Sequence, residues 1–166
     1  DSAKWGASDF NILRGRFAQQ DSKLLFYSDP TGPARTGPGD QYDVAGRLWQ
    51  AQAAPYVRDW SMQVDINLPQ LSWGTKGEGG IGIFLFNRDD ADDELVFVLD
   101  TYNAGGSVTR NLEVEFEVNG SEIFDREPAV ANTFTHATLR VEWDATTKQL
   151  TCKYSTNNGA SWTIHT

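Results

Sequence analysis

The sequence predicts an all-β protein whose strands form a two-sheet antiparallel sandwich. Short stretches alternate apolar and polar residues, and 15 glycines and 6 prolines divide the chain. No long stretch places apolar residues at helical spacing. Hydrophobic residues make up 39% of the chain and aromatics 12%, which is enough to build a core in 166 residues. With no linker visible, we expect one domain spanning residues 1–166.

The first elements are two short strands over residues 10–17 and 24–27, around a turn at Gln20 and Asp21. Residues 28–46 are rich in Pro, Gly and Asp and are predicted to form a long loop. Loops of this length are often functional, and a disordered connector is the alternative.

The clearest strand covers residues 60–68, where apolar and polar side chains alternate until Pro69 ends the pattern. A second glycine-rich loop is predicted over residues 72–80. Residues 81–86 and 95–99 are apolar at every position or nearly so, as in central strands.

The remaining strands are predicted in two pairs. Residues 112–118 alternate, and Asn119-Gly120 then predicts a tight hairpin with residues 122–124 as the return strand. Residues 137–143 and 150–154 form the last pair. No helix is predicted.

The net charge of −9 and the pI of about 4.6 restrict the partners. Nucleic-acid binding requires clustered cations, so we expect no nucleic-acid partner. No apolar run reaches the roughly 18 residues of a membrane span, so no membrane insertion is expected. The single Cys152 has no cysteine with which to form an internal disulfide. Neutral glycans and calcium remain compatible with this charge.

Four segments resemble, in order, segments of legume-type lectins. They are an opening hairpin over residues 10–26, central strands over 59–68 and 80–86, a metal-site strand over 98–103, and a late hairpin over 141–154. The chain is thereby similar to the concanavalin A-like lectin and glucanase superfamily. The resemblance implies a jelly-roll sandwich, a non-catalytic carbohydrate-binding role and an extracellular or cell-surface location. It also implies calcium, with Asp100 and the Tyr102 carbonyl among its ligands, whereas Gly79 replaces the family's sugar-binding Asp.

A second acidic motif consists of Glu113, Glu115 and Glu117, which alternate on one face of a strand. It resembles the E-x-D-x-E strand of laminarinases and lichenases, in which paired carboxyls hydrolyse a β-glucan. That resemblance implies Glu113 as nucleophile and Glu117 as acid/base. A solvated strand face is the alternative.

A run of carboxylates lies between two apolar strands and predicts calcium ligands at Asp89, Asp90, Asp92 and Asp93. A charged turn that keeps the strand ends soluble is the alternative. The Asp100 position that the resemblance implies is separate from this run.

Aromatic and polar residues in irregular segments suit a sugar, whose ring faces are apolar and whose hydroxyls need hydrogen-bond partners. On this basis we expect glycan contacts at Trp49, Trp73, Glu78 and Tyr102, although loop tryptophans can also be simple anchors. A groove lined by tryptophan with few carboxylates would favour this binding role. The competing functions are a glycoside hydrolase, favoured by an acidic groove with paired carboxylates, and a protein-binding structural or adhesion module, favoured by a flat charged face.

Overall fold

The computed structural model describes residues 5–10, 15–20, 23–28, 46–49, 57–68, 76–86 and 93–166. Within these ranges every regular element is a β-strand, which confirms the all-β prediction. The thirteen strands are β1 Trp5–Phe10, β2 Gly15–Gln20, β3 Lys23–Ser28, β4 Gly46–Trp49, β5 Trp60–Asn67, β6 Lys76–Phe86, β7 Glu94–Ala104, β8 Ser107–Val118, β9 Ser121–Arg126, β10 Ala129–Val130, β11 His136–Asp144, β12 Gln149–Ser155 and β13 Thr163–Ile164.

The chain divides into two compact units, residues 1–54 and 55–166. In the first unit β1 pairs with β4 and β2 pairs with β3, both antiparallel. The β2–β3 pair corresponds to the predicted opening hairpin, although its first strand begins at Gly15. The loop predicted over residues 28–46 lies almost entirely outside the described residues. The expectation of a single domain over residues 1–166 stays a prediction.

The second unit contains two antiparallel sheets. One has the order β10-β8-β7-β6, with β9 also paired to β8, and the other has the order β13-β12-β11-β5. Both sheets contribute side chains to one buried core, which gives the unit its β-sandwich character. The most deeply buried of these core residues are Phe97, Leu99, Leu112, Val114, Ala137, Leu139, Val141 and Cys152.

Alternation along the strands decides which face is buried. In β8, Leu112 and Val114 are buried in the core, so the intervening glutamates lie on the opposite face of the sheet. In β7 both faces are covered, since Phe97 and Leu99 lie in the core while Val98 is also only 4% exposed. This agrees with the prediction of a central strand.

Two boundaries differ from the sequence prediction. β6 begins at Lys76, so half of the loop predicted over residues 72–80 is strand. The reason is that β7 continues to Ala104 and offers a pairing partner to each of residues 76–80. The hairpin at Asn119-Gly120 is confirmed, since both residues have positive φ (52° and 66°) and Val118 pairs with Ser121.

Polar side chains also join the two sheets. Arg110 of β8 is 1% exposed, and its Nη1 donates to the carbonyls of Leu68 (2.8 Å) and Phe134 (2.9 Å). Arg126 of β9 donates from Nη1 to the His165 carbonyl at 2.9 Å. The cations of β8 and β9 therefore point away from the glutamates of β8. Among the described residues, no helix is long and apolar enough to cross a membrane.

Candidate functional site

The candidate site is an acidic face on the five-stranded sheet, centred on β8. Glu113, Glu115 and Glu117 project from this face because they alternate with the core residues of the same strand. In the register with β7, Glu113 is paired with Val98, Glu115 with Val96 and Glu117 with Glu94. Opposite Glu117 on its other side is Glu122 of β9. Like charges placed directly opposite one another destabilise a sheet, so this face is electrostatically costly when fully ionised.

A β-bulge brings further carboxylates to the acidic face. The β8–β9 register shifts by one residue between Phe116 and Glu117, which leaves Ile123 as the extra residue on β9. Beyond the bulge Asp125 is paired with Glu115. Glu127 follows directly after β9, and its Oε2 accepts a hydrogen bond from Asn111 Nδ2 at 3.3 Å.

A shallow cavity of about 240 Å³ opens on this face. Asp100 forms part of its lining and is only 6% exposed, whereas the Tyr102 side chain is 46% exposed. The cavity thus combines an accessible aromatic ring with a set of hydrogen-bonding groups. Its lining residues are Asp100, Tyr102, Asn111, Glu113 and Glu127.

The pKa of Glu113, which lines the cavity, is strongly perturbed. Burial, reinforced by the negative charges of Glu127, Asp100, Glu115 and Asp125, raises the pKa of Glu113 to about 8. The Glu113 side chain is consequently protonated over much of the neutral range and can donate a hydrogen bond.

The neighbouring Glu115 behaves similarly. The pKa of Glu115 is raised to about 7, mainly by burial. The negative charge of Glu117 and a hydrogen bond between the two carboxyls raise it further. Glu94 and Asp125 act in the same direction. A hydrogen bond between two carboxyls requires a proton on one of them, so Glu115 and Glu117 form an acid pair.

Three carboxylates of the same face come close enough to share one cation. Ligand oxygens of Glu113, Asp125 and Glu127 lie within 4.8 Å of one another. Carboxylate oxygens are the donors that calcium prefers. The geometry would suit a hard divalent cation, in competition with the proton that Glu113 holds.

The predicted glycan contacts fall in different places. Tyr102 lines the cavity, and Glu78 of β6 is paired with Tyr102 of β7. The structure describes the backbone of Glu78 but not its side chain. Trp49 belongs to β4 of the first unit, where Trp5 is its pairing partner. Trp73 lies outside the described residues.

The predicted calcium ligands are also divided. Asp100 borders the cavity, whereas Asp93 Oδ1 accepts a hydrogen bond from the Asn119 amide at 2.8 Å and so ties the β8–β9 turn to the start of β7. Asp89, Asp90 and Asp92 lie outside the described residues. Asp93 thus contributes to the structure of the hairpin, and calcium binding in the acidic run stays a prediction.

Sequence reasoning did not single out Asn111, Asp125 or Glu127. Alternation alone places Asn111 on the face of Glu113, so that residue could have been found. The two acidic residues depend on the bulge, because a regular hairpin from Asn119-Gly120 would turn them away from Glu113 and Glu115.

Comparison with known proteins gives no relative: no family model matches the chain, and neither the curated proteins nor the solved structures contain a match. What the fold itself defines is an all-β protein with a sandwich in residues 55–166 and an acidic cavity on one sheet. The resemblance to the concanavalin A-like superfamily remains a prediction from the sequence.

Proposed function

We propose that the protein is a non-catalytic carbohydrate-binding module that holds a glycan at the acidic face, in an extracellular or cell-surface setting. The concanavalin A-like jelly-roll topology expected from the sequence is part of the same proposal. The observation that carries it is the cavity in which the exposed Tyr102 ring adjoins Asp100, Asn111 and Glu113.

The chemistry of this cavity matches the two surfaces of a sugar. An aromatic ring offers a flat apolar face for the C–H side of a pyranose. Carboxylates accept hydrogen bonds from hydroxyls, while Asn111 and a protonated Glu113 donate them. At about 240 Å³ the cavity is smaller than drug-sized sites of about 300–1,000 Å³, so one sugar unit of a longer chain is the ligand size that fits.

Calcium binding beside the glycan is the second part of this proposal. The ligands we expect are now Glu113, Asp125 and Glu127, whose oxygens lie within 4.8 Å of one another, with Asp100 on the same cavity. When bound, the cation would neutralise the carboxylates and supply a Lewis-acidic contact for sugar hydroxyls.

The test is retention on a panel of soluble and insoluble polysaccharides, with calcium and with chelator. Tyr102→Ala and Asn111→Ala should each weaken retention at least tenfold, because they remove the stacking surface and an amide donor. Val57→Ala, at an apolar side chain that is 64% exposed and does not line the cavity, is the matched control. If the wild type is retained on no glycan under either condition, the proposal fails and protein partners become the better hypothesis.

A second candidate is a glycoside hydrolase acting on a β-glucan, as the E-x-E-x-E strand suggested. Two observations favour it. The cavity is lined by the carboxyls of Asp100, Glu113 and Glu127, which is the feature expected of a hydrolase, and the pKa of Glu113 is raised, as a glycosidase needs one carboxyl that is protonated at neutral pH. On this ground Glu113 suits the general acid and not the nucleophile that the resemblance implied, and Glu117 would be left as the nucleophile.

Release of reducing ends separates the two candidates. A hydrolase would shorten a retained β-glucan, and both Glu113→Gln and Glu117→Gln would abolish the release while leaving retention measurable. Retention of an unshortened polymer would leave the binding module as the function.

A further inference from the structure

His165 joins the two sheets of the second unit. Its backbone N–H donates to the Cys152 carbonyl of β12 at 2.8 Å, in the four-stranded sheet. Its ring Nε2 lies 2.7 Å from the Leu112 carbonyl of β8, in the five-stranded sheet. Its own carbonyl accepts the bond from Arg126 of β9. One residue thus contacts both layers of the sandwich.

The His165 ring is buried and only half satisfied. The residue is 6% exposed, and its ring centroid lies 5.8 Å from that of Phe97. Because Nε2 faces a carbonyl oxygen, Nε2 carries the hydrogen and donates. Nδ1 is then a bare acceptor, buried without a hydrogen-bond partner. This is the geometry of a neutral imidazole.

A proton on Nδ1 would be poorly tolerated. Two titratable or charged residues hydrogen-bond to the His165 backbone, Arg126 of β9 through its guanidinium and Cys152 of β12 through its own backbone. Burial raises the pKa of the Cys152 thiol to about 12, so that thiol is neutral and no anion is supplied. The carboxylates Glu113 and Glu115 of β8 lie on the other face of the sheet.

Burial is also the main reason why the pKa of His165 lies below its usual value, and the charge of Arg126 acts in the same direction. The hydrogen bond to Leu112 opposes this change without reversing it. The direction of the pKa change agrees with the geometry, in which a new N–H on Nδ1 would have no acceptor and its charge would be repelled by Arg126.

We propose that His165 is an acid-sensitive latch: protonation of its imidazole releases residues 163–166 from the two sheets. β13 is held to β12 through Lys153 and Tyr154, and the Cys152 amide donates to the Thr166 carbonyl at 2.7 Å. Cys152 and Thr166 also line an apolar cavity of about 280 Å³. Release of the latch would therefore open an apolar cavity as the pH falls.

The direction of the pH effect on the release of residues 163–166 follows from proton linkage. The folded state binds a proton at His165 more weakly than the unfolded or opened state does, so the stabilisation is complete above the ordinary pKa of 6.5 and is lost as the pH falls below it. For one proton, the opening constant rises up to tenfold for each pH unit below about 6.5, until the folded form itself protonates.

The chain offers a matched pair of variants, because it contains two histidines and the other, His136, is exposed. His165→Gln keeps a side-chain amide that can donate to the Leu112 carbonyl but cannot gain a proton, and His136→Gln is the control. Hydrogen exchange at the Cys152 amide, expressed as a protection factor between pH 7.5 and 5, reports release of the segment.

We expect protection at Cys152 to fall by up to tenfold per pH unit in the wild type and in His136→Gln, and to change much less in His165→Gln. An equal fall in all three proteins would overturn the proposal. So would exchange at Cys152 that occurs only with the slowest core amides, since opening would then be global unfolding.

If His165→Gln fails to fold, the test uses His136→Gln, in which His165 is the single histidine and its ring carbons can be followed by NMR as the pH falls. An imidazole that titrates at or above 6.5 in the folded protein would refute the latch, and one that titrates below 6.5 together with loss of protection at Cys152 would support it. The outcome is independent of glycan binding, which concerns the other face of β8.

Discussion

Removing the charge of Glu113 should stabilise the protein at neutral and alkaline pH. Glu113→Gln keeps the size and hydrogen-bonding capacity of the side chain, and its amide can donate to the carboxylates of Asp100 or Glu127 that line the same cavity. What it removes is the cost of ionising a half-buried group amid like charges. The sign is unusual, because most substitutions destabilise.

The magnitude follows from the pKa of Glu113, which rises from 4.5 to about 8 on folding. Each pH unit between these values is worth about 1.4 kcal/mol, so ionisation at pH 7 would cost about 3 kcal/mol without solvent screening. Since Glu113 is partly exposed, screening reduces this by half or more, to about 1–2 kcal/mol. The stabilisation present below about 4.5 is lost as the pH rises toward 8, and Glu113→Gln avoids that loss.

Urea unfolding followed by tryptophan fluorescence at pH 4, 6 and 8 measures the effect, since the chain contains six tryptophans. We expect Glu113→Gln to match the wild type at pH 4 and to exceed it increasingly at pH 6 and 8. Glu122→Gln makes the same change at an exposed position, where solvent screens the repulsion from Glu117, and should alter stability by less than about 0.5 kcal/mol. The reasoning is refuted if Glu113→Gln gives the same difference from wild type at pH 4 and pH 8, or is less stable than wild type at pH 8.

Three further predictions concern stability and can be read from the same urea curves. Arg110→Met should lower the free energy of unfolding by roughly 3 kcal/mol, because it removes two hydrogen bonds from a charged donor to the Leu68 and Phe134 carbonyls. Arg110→Lys should recover part of this loss, and equal stability of the wild type and both variants would contradict a stabilising role for Arg110. Gly82→Ala should lower the free energy of unfolding by about 1–3 kcal/mol, since a Cβ there would lie 2.7 Å from Val98 Cα and closer still to the Phe97 carbonyl oxygen. Unchanged stability would mean that β6 does not pack so closely on β7. Asp93→Ala should lower the free energy of unfolding by about 1 kcal/mol, because it removes the hydrogen bond from the Asn119 backbone N–H. Asp93→Asn keeps an acceptor and should lower it less.

Much of the fold follows from local patterns. Alternation in β5 and β8 reports a strand with one buried face, because successive side chains point to opposite sides. Asn119-Gly120 marks a hairpin, because both residues tolerate positive φ. The glutamate row of β8 could be placed on one face by the same reasoning. The alternation of β8 does not show what lies beside those glutamates, because pairing between strands is not encoded in the order of one strand.

The sequence by itself predicted an antiparallel all-β fold, with strands over residues 60–68, 112–118 and 137–143 among others, and it placed Glu113, Glu115 and Glu117 on one face. Only the tertiary structure decided what surrounds them. Continued regularly from Val118 and Ser121, the hairpin would place Arg126 opposite Glu113, where the two charges could pair.

The bulge at Ile123 shifts the register by one residue, so Arg126 is paired with Val114 and turns toward His165, while Asp125 lies beside Glu115. The physical reason is the two-residue period of a strand, by which a slip of one exchanges its faces. Phe124 then packs against the core, Ile123 is left 63% exposed, and the face that could have been neutralised becomes acidic.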